Sequence, residues 1–393
     1  MKKIAFVGAY SKPELISSSH LTIDIISECQ KAGLETMFIS PNQVRGLSKE
    51  DVKKYKPTRT QNDEYGKHVI IRCPSSMERS FLPRLFRYKI FGKQAVKFLK
   101  KDFHPDYIFL WSYPPLGLSK TIVKYAKRHN TKIIYDVHDI QPDILSINGL
   151  LRKIIRQDSN FVLKNSDYVF TLSEDMKDTL CNKGVSNSCI SVIPPWDYKY
   201  ELQSVDNKIL DHLNVGSNFV VGYVGNIGNF QNVELLLKIA TKMKDYKDIK
   251  FLFVGGGSLS NMVREYAEKH ENIQYFPKVS ENEAANLYMF CDLNVISLKK
   301  GLIKFCCPSK TPMILKSTSN ILAIADESKF VNELKTNNAI CITNYEENAI
   351  IEAILSCFKH NQKRLVKQTA FSRDNCINKW YTFFKSLNDG KNN

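Results

Sequence analysis

The sequence predicts an α/β protein made of two parallel-sheet domains in tandem. A chain of 393 residues is too long for one ordinary core, because single cores stop growing near ~250 to 300 residues. Short apolar runs bounded by turn residues alternate with longer amphipathic stretches, as in parallel strands joined by crossover helices. The alternation breaks at the proline-rich, polar segment 194–208 and then restarts. We therefore predict one domain at residues 1–195 and a second at 196–370.

The first half of the chain contains seven predicted strands and four predicted helices. Runs rich in valine, isoleucine, phenylalanine and tyrosine predict strands at residues 4–7, 36–39, 69–71, 107–110, 132–135, 168–171 and 191–193. Apolar residues three and four positions apart predict helices at residues 20–32, 118–128, 151–164 and 174–182. Strands that alternate with helices indicate a parallel sheet.

The same pattern continues after the break. It predicts strands at residues 220–224, 250–254, 273–276 and 293–296, and helices at residues 233–242, 259–269 and 281–290. Ser280 and Glu283 form a predicted capping box for the last of these helices, since each side chain can bond to the other residue's backbone N–H. The second half is thus a second α/β unit.

The composition is that of a folded, water-soluble protein with an excess of positive charge. Apolar residues make up 43% and charged residues 24% of the chain, close to the averages for globular domains. The 56 Lys and Arg outnumber the 40 Asp and Glu and give a net charge of +16. This balance favours anionic partners, namely nucleic acid, phosphorylated small molecules or an acidic membrane surface.

Cysteine usage and hydropathy predict a cytoplasmic protein. The ten cysteines include no C-x-x-C pair, which favours reduced thiols over a disulfide scaffold or a zinc site. The opening MKKIAFVGAYSKPE has a short apolar run, but polar residues interrupt it before a signal-peptide core forms. No apolar run approaches the ~18 residues of a membrane span.

Two strand-to-helix turns in the second half are rich in glycine. Residues 222–232 read GYVGNIGNFQN and residues 253–263 read FVGGGSLSNMV. Glycine lets backbone amides approach an anion, and the following helix N-terminus adds a partial positive charge. The first turn lacks the G-K-[ST] of a Walker loop and the dinucleotide spacing. One such turn is common in α/β proteins, but two in succession favour a phosphate or nucleotide site.

The segment CCPSKTP at residues 306–312 contains a candidate phosphate ligand. Pro308 and Pro312 restrict the backbone around Ser309 and Lys310. A lysine in such a loop can place a compact positive charge on a diphosphate, and the serine hydroxyl can donate a hydrogen bond. A solvated surface lysine is the alternative.

The segment YDVHDIQPD at residues 135–143 follows a predicted buried strand. Ligands bind outside the carboxyl ends of parallel strands, which is where His138 and Asp139 would lie. Asp136 and His138 share a strand face but have too few nearby partners for a metal site. Helix capping and salt bridges by Asp139 and Asp143 form a second interpretation. The third is a histidine that faces a sugar or a leaving phosphate.

Positive charge is concentrated between Arg79 and His104, where eight Lys or Arg accompany a single acidic residue, Asp102. Aromatic and aliphatic side chains lie between them. This mixture suits an anionic bilayer surface, where each basic residue contributes about 1 kcal/mol. A plain amphipathic helix with a solvated lysine face is the alternative. Nucleic-acid binding ranks third, because no recognisable module is present.

The motifs HDIQPD, VIPPWDY, YVGNIGNFQN, FVGGGSL and CCPSK, in this order and spacing, resemble the retaining glycosyltransferases of the GT-B fold. Among these enzymes, the motifs look most like family 4 of capsule and O-antigen assembly, with its fucosaminyltransferase-like members. The resemblance implies two Rossmann-like domains facing each other across a cleft, with the acceptor in the first domain and the donor in the second. It further implies a C-terminal helix at 371–393 that crosses back to the first domain, and no cofactor or metal ion.

The resemblance also implies roles for individual residues. His138 aligns with the histidine that contacts the donor sugar near the reacting carbon, and Lys310 aligns with the lysine of the P-S-K signature at the phosphates; these are the predicted catalytic residues. The predicted donor-binding residues are Gly225, Asn226, Gly228, Gln231, Gly255, Gly256, Gly257, Phe276, Pro277 and Ser309. On the acceptor side the predicted residues are Ser19 and Asp139.

The expected partners follow from the same resemblance. They are a nucleotide-sugar, with UDP as the favoured nucleotide, and a polyprenyl-diphosphate-linked or other saccharide acceptor. The stretch from Arg79 to His104 would hold the protein on the inner face of the cytoplasmic membrane, and no nucleic-acid partner is expected.

Two other functions compete with sugar transfer. A non-catalytic family member is favoured by three departures from the family pattern: Asn226 and Gln231 in place of a basic pair, and Met313 in place of an acidic residue that grips the ribose. A nucleotide-sugar epimerase has a similar two-domain fold, but it would leave the basic stretch without a purpose.

Overall fold

The computed structural model describes residues 1–390 apart from 13, 15–18, 45–46, 55–57, 80, 113–116, 146, 199–217, 361 and 368, and it excludes the side chains of residues 19, 49, 54, 79 and 81. The chain divides into two compact units. The first comprises Met1–Pro195, Phe305–Cys307 and Arg373–Asn393, and the second comprises Trp196–Lys304 and Pro308–Ser372.

These units differ from the predicted domains in two places. The second unit extends to Ser372 rather than residue 370, and Phe305–Cys307 belongs to the first unit although it lies within 196–370. Hydrogen bonding explains the second difference. Ile140 N donates to Phe305 O at 2.8 Å, and Asp139 forms an antiparallel bridge with Cys306. Contacts this distant along the chain leave no local signal in the sequence.

The first unit contains an eight-stranded sheet in the order β3-β4-β2-β1-β5-β6-β7-β8. Its strands are Lys3–Val7, Glu35–Pro41, Arg59–Asp63, Gly66–Ile71, Tyr107–Trp111, Lys132–Val137, Tyr168–Thr171 and Ile190–Val192 (β1 to β8). β3 pairs antiparallel with β4, and the inner strands pair in parallel. The predicted parallel sheet is confirmed. β3 was not predicted, because its sequence RTQND is polar and the strand lies at the edge of the sheet.

In the described part of the first unit, six helices connect these strands. They are Ser19–Lys31, Lys49–Lys54, Phe81–Phe98, Leu118–His129, Gly149–Lys164 and Glu174–Asn182 (α1 to α6). A π-helical turn, Leu99–Phe103, extends α3, and 3₁₀ turns occupy Ser75–Arg79 and Asn187–Cys189. The basic stretch from Arg79 to His104 is therefore mostly the helix α3.

The second unit contains a six-stranded parallel sheet in the order β11-β10-β9-β12-β13-β14. Its strands are Phe219–Val224, Ile249–Val254, Ile273–Phe276, Leu293–Ser297, Asn320–Ile324 and Ile340–Ile342 (β9 to β14). Its helices are Val233–Lys242, Ser260–Lys269, Glu281–Phe290, Thr311–Lys316, Lys329–Thr336 and Glu347–His360 (α7 to α12). The predicted capping box at the start of α9 is confirmed, with Ser280 N donating to Glu283 Oε2 at 2.8 Å.

The last helix, Arg373–Asp389 (α13), packs on the sheet of the first unit. The Trp380 ring centroid lies 4.3 Å from that of Phe170, and Phe384 is fully buried beside Phe6. At the helix start, the Arg373 guanidinium bonds to both carboxylate oxygens of Asp24, at 2.6 and 3.0 Å. Within the described residues, none of the helices is both long and apolar enough to span a membrane.

Replacing Phe384 by alanine should destabilise the first unit by about 3–5 kcal/mol, because the change leaves a cavity among buried aromatic rings. Urea unfolding, followed by the intrinsic fluorescence of the three tryptophans, of which Trp111 and Trp380 lie in the first unit, measures the effect. Thr382, an exposed residue of the same helix, supplies the control Thr382→Ala, which should change stability by less than about 0.5 kcal/mol. Equal unfolding midpoints for the two variants would contradict this packing.

Candidate functional site

Three neighbouring strands of the second sheet end beside one another in glycine-containing or proline-containing turns. β9, β10 and β11 end at Val224, Val254 and Phe276, and adjacent strands of the three are hydrogen-bonded in parallel register. The turns that follow therefore lie together at the carboxyl edge of the sheet, where open parallel sheets bind ligands.

The first two turns touch backbone to backbone. Ile227 N donates to Gly256 O at 2.9 Å, and Leu259 N donates to Ile227 O at 3.0 Å. A Cβ atom at Gly255 would lie 1.8 Å from Gly225 O, and one at Gly257 would lie 2.3 Å from Ile227 O. Both glycines also have φ near +150°, which favours glycine. Side chains at these positions would push the two turns apart.

Predicted residues of the first turn also contact one another. Asn226 Nδ2 donates to Gln231 Oε1 at 3.2 Å. A Cβ atom at Gly228 would lie 2.7 Å from Asn226 Nδ2 and 3.0 Å from Gln231 Oε1. Tyr223, which the sequence analysis missed within the apolar strand, donates its hydroxyl hydrogen to Asn226 O at 2.7 Å. The structure thus brings Asn226, Gly228 and Gln231 together.

Lys310 lies against this turn. Its Nζ is 3.5 Å from the centroid of the Tyr223 ring, and a Cβ atom at Gly225 would lie 3.6 Å from Lys310 Cδ. The Nζ atom is buried and has no hydrogen-bond partner among the described residues. Burial lowers the pKa of Lys310 well below its ordinary value. The alternative of a solvated surface lysine is therefore wrong for its amine.

The other predicted donor-binding residues border the same edge. Gly255 N donates to Phe276 O at 3.0 Å, which places the end of β11 beside the second glycine turn. Pro277 and Ser309 are exposed. Met313 is buried within α10.

His138 follows β6 in the first unit and is held by two neighbours. Its Nε2 lies 2.8 Å from Asp136 Oδ2, and its backbone N–H donates to Ser112 Oγ at 3.1 Å. The Asp136 side chain is 2% exposed and that of His138 is 22% exposed. Burial opposes protonation of His138, but the charge and hydrogen bond of Asp136 prevail, so the pKa of His138 is raised. Asp136 is thus the partner of the histidine.

The other carboxylates of the segment YDVHDIQPD have distinct environments. Asp143 pairs with Arg152 at 3.1 Å and with Lys183 at 2.5 Å, so the salt-bridge interpretation is right for this residue. Asp139 N donates to Ser112 Oγ at 3.1 Å, and burial raises the pKa of the Asp139 carboxyl. Ser112 also escaped the sequence analysis, although it follows the neighbouring strand β5 at the same edge.

The structure does not describe the side chain of the predicted acceptor-side residue Ser19, nor residues 17 and 18. The metal-site question is a separate one. The described residues contain no group of three or more histidine, cysteine, aspartate or glutamate side chains that could hold a metal ion.

Comparisons with known proteins agree with this architecture. Residues 19–196 match Glycosyltransferase Family 4. WcaI of Escherichia coli (strain K12), named as a colanic acid biosynthesis glycosyl transferase, is 24% identical over 386 residues, which is 91% of this chain and 93% of WcaI. WbjE of Pseudomonas aeruginosa, named as a glycosyltransferase, is 23% identical over 265 residues. That match spans 64% of this chain and 65% of WbjE.

Solved structures share the fold across the whole chain. Anabaena HepE in complex with UDP has a TM-score of 0.63 at 13% identity, covering 100% of this chain and 99% of HepE. Sucrose-phosphate synthase from Thermosynechococcus elongatus has a TM-score of 0.68 at 14% identity, covering 100% of this chain and 98% of the synthase. UDP-GlcNAc 2-epimerase from Methanocaldococcus jannaschii has a TM-score of 0.57 at 12% identity, covering 99% of this chain and 100% of the epimerase.

Two mostly parallel α/β units, the match at residues 19–196 and the similarity to WcaI along nearly the whole chain lead to one assignment. The chain has the GT-B fold of two Rossmann-like domains, and its residues 19–196 match Glycosyltransferase Family 4.

Proposed function

We propose that this protein transfers a sugar, with retention of configuration, from a UDP-sugar to a lipid-linked or other saccharide acceptor. The reaction would serve surface polysaccharide biosynthesis, such as capsule or O-antigen assembly, at the inner face of the cytoplasmic membrane. Structures of HepE with UDP and with UDP-glucose are among the similar folds, and WcaI is named for colanic acid biosynthesis. Both relationships support the proposal.

The buried amine of Lys310 is the observation that carries the proposal. A buried cation without an anionic or hydrogen-bonding partner costs folding free energy. Here it lies beside Gly225 and faces an aromatic ring. A diphosphate at the glycine turns would give Lys310 an anion, and no metal ion would be needed to supply positive charge. Asn226 and Gln231, which replace a basic pair, make Lys310 the main positive charge there.

The proposed chemical step makes use of this placement. The acceptor hydroxyl attacks the anomeric carbon from the face that UDP leaves, and a phosphate oxygen of the leaving group takes the hydroxyl proton. Negative charge grows on the phosphate as the glycosidic bond breaks. Lys310 and the backbone amides of the glycine turns stabilise that charge, in the manner of preorganised donors at an oxyanion.

His138 is the residue that we propose orients the sugar. Asp136 fixes the imidazole ring through Nε2, and Ser112 holds the backbone of His138 and Asp139. Because Nε2 donates to Asp136, Nδ1 is the ring nitrogen that can meet a substrate. The Asp136 carboxylate behind the ring also favours positive charge on the sugar in the transition state.

An epimerase is the second candidate, since UDP-GlcNAc 2-epimerases share the fold. The family match and the relatives named as glycosyltransferases favour transfer. A non-catalytic partner protein is the third candidate, favoured by Asn226, Gln231 and Met313.

UDP should bind with micromolar affinity in EDTA and take up protons. The diphosphate favours the charged form of Lys310, so binding raises a pKa that burial has lowered. At pH values between the pKa of Lys310 in the free protein and its higher pKa in the UDP complex, binding is accompanied by proton uptake. The affinity for UDP therefore falls as the pH rises through that interval. Calorimetry in buffers of different ionisation enthalpy measures the uptake.

The variant Lys310→Ala should abolish both UDP binding and proton uptake, whereas Lys300→Ala, at an exposed lysine of the same unit, should change neither. Binding of UDP to Lys310→Ala with wild-type affinity would refute the role of the lysine. Failure of the wild-type protein to bind UDP or GDP would favour the non-catalytic candidate.

Turnover should require an acceptor. With a panel of UDP-sugars, new glycoside should form only when a saccharide acceptor is present, and Lys310→Ala should lower kcat by about 10² or more, as for loss of one preorganised donor. Chromatography of the products with donor alone separates the classes. A changed sugar configuration without acceptor would establish an epimerase instead.

The pKa of His138 should lie above the ordinary value of about 6.5, because Asp136 stabilises the imidazolium. Asp136→Asn removes that charge and should lower the pKa of His138. NMR titration of the histidine ring signals measures both values. The exposed residue Glu174 of the first unit provides the control Glu174→Gln, which should leave the titration unchanged; an unchanged pKa in Asp136→Asn would contradict the pairing.

A further inference from the structure

The exposed face of α3 is apolar in its first half and basic in its second half. Leu82, Phe86 and Ile90 are 55%, 61% and 37% exposed. They are four residues apart, so they lie on one face of the helix. Lys93 and Lys97 continue this face, and Lys100 and Lys101 follow in the π-helical turn, all four exposed. A helix with this pattern is typical of interfacial membrane binding.

The helix α5 has a similar exposed face. Leu150 and Ile154, again four residues apart, are 73% and 39% exposed. Lys153 and Arg156 are exposed beside them. A shallow pocket along this helix is lined by Gly149, Arg152, Lys153, Arg156, Gln157 and Asn160. Apolar side chains and a basic concavity are therefore combined on α5 too.

The two faces belong to one layer of helices. α3 packs on α4, and α4 packs on α5. The approach of α3 to α4 is close, since a Cβ atom at Gly92 would lie 3.3 Å from Leu118 Cα. Lys120 of α4 and Asp158 of α5 are hydrogen-bonded. We name the outer surface of these three helices the α3–α5 surface.

The α3–α5 surface is strongly basic. α3 contains five Lys or Arg and no Asp or Glu; its two arginines pair with Glu78, and Arg87 is buried, so its three lysines carry the exposed charge. α4 contains four Lys or Arg and no acidic residue. α5 contains four Lys or Arg and one acidic residue, Asp158, which pairs with Lys120. Arg152 and Arg156 of α5 pair with Asp143, whereas Lys153 and Lys164 are exposed. This concentration of like charge attracts anionic surfaces.

The apolar ends of α3 and α5 lie towards the functional edge of the first sheet. A helix that connects parallel strands starts at the carboxyl edge of the sheet and runs back to the opposite edge. Leu82 and Phe86 are in the first two turns of α3, and Leu150 and Ile154 are in the first two turns of α5. His138 and Asp139 lie at that same edge.

We propose that the α3–α5 surface docks on an anionic lipid bilayer, with Leu82, Phe86, Ile90, Leu150 and Ile154 inserted between headgroups and the lysines on lipid phosphates. Charge complementarity and the exposed apolar side chains together favour this partner. A nucleic-acid backbone would use the lysines but leave the apolar residues in water. The inference rests on the proposed function, because it brings the acceptor-side edge to the layer where a lipid-linked sugar resides.

Vesicle sedimentation tests whether the exposed lysines at the end of α3 bind anionic lipid. The protein should bind vesicles of phosphatidylcholine with 30% phosphatidylglycerol at low salt, and bind pure phosphatidylcholine vesicles far more weakly. The variant with glutamine at positions 93, 97, 100 and 101 should partition several hundredfold less, at about fivefold per lysine. A control with glutamine at the exposed positions 244, 247, 269 and 300 of the second unit should bind like the wild type. Equal losses in both variants would show a net-charge effect and overturn the proposal.

Tryptophan substitutions test whether the apolar side chains at the starts of α3 and α5 enter the bilayer. Phe86→Trp and Leu150→Trp should each add fluorescence that bilayers of brominated lipid quench. Leu365→Trp, at a 78% exposed leucine of the second unit, should add fluorescence that is not quenched. Unquenched signals from both first-unit variants, with the protein bound to vesicles, would mean that the apolar ends stay in water and would overturn the proposal.

UDP calorimetry on the same variants keeps this inference separate from the donor site. Lost vesicle binding with unchanged UDP affinity supports the docking surface. If the wild-type protein binds UDP but not anionic vesicles, the docking surface fails while the proposed function stands. If it binds vesicles but not UDP, the proposed function fails instead.

Discussion

The backbone contact between the two glycine turns of the second unit is the constraint on which the geometry of the candidate site around Lys310 depends. A Cβ atom at Gly255 would come within 1.8 Å of Gly225 O, so the turns can approach only where side chains are absent. Their approach allows Ile227 to bond to Gly256 and leaves room for the Lys310 stem at Gly225. A substitution at Gly255 would therefore disturb the lysine as well as the turns.

Most of the sheet framework could be predicted because buried parallel strands are apolar along their whole length. The strand predicted at 220–224 is Phe219–Val224, and that at 250–254 is Ile249–Val254. β3 escaped prediction because RTQND has no apolar run. No element was predicted between residues 297 and 370, where α10 is only six residues long. β13 is different: its sequence NILAI contains the apolar signal, which the sequence analysis overlooked.

The sequence could predict which residues form the candidate site, but it could not predict which side chains contact one another there. Glycine turns and the PSK segment indicate phosphate binding through local sequence, whereas the partners of each side chain come from strand order. β12 lies beside β9, and this neighbour relationship explains how the segment after β12 returns Lys310 to Tyr223. Nothing local to Tyr223 distinguishes it from a core tyrosine. The sequence analysis weighed Asp136 with His138 only as a metal site, which it rejected for lack of partners; the 2.8 Å contact makes Asp136 the partner of the histidine.

The two candidate catalytic residues lie in opposite electrostatic environments, and this contrast has a physical reason. His138 keeps a buried carboxylate, which raises its pKa and fixes its ring even without substrate. Lys310 has an aromatic face instead of a carboxylate, so burial lowers its pKa and its charge is not compensated within the described chain. A carboxylate at Lys310 would stabilise the fold but compete with a diphosphate for the amine. Leaving the amine without one costs folding stability and, in the reaction proposed above, reserves its charge for the leaving group.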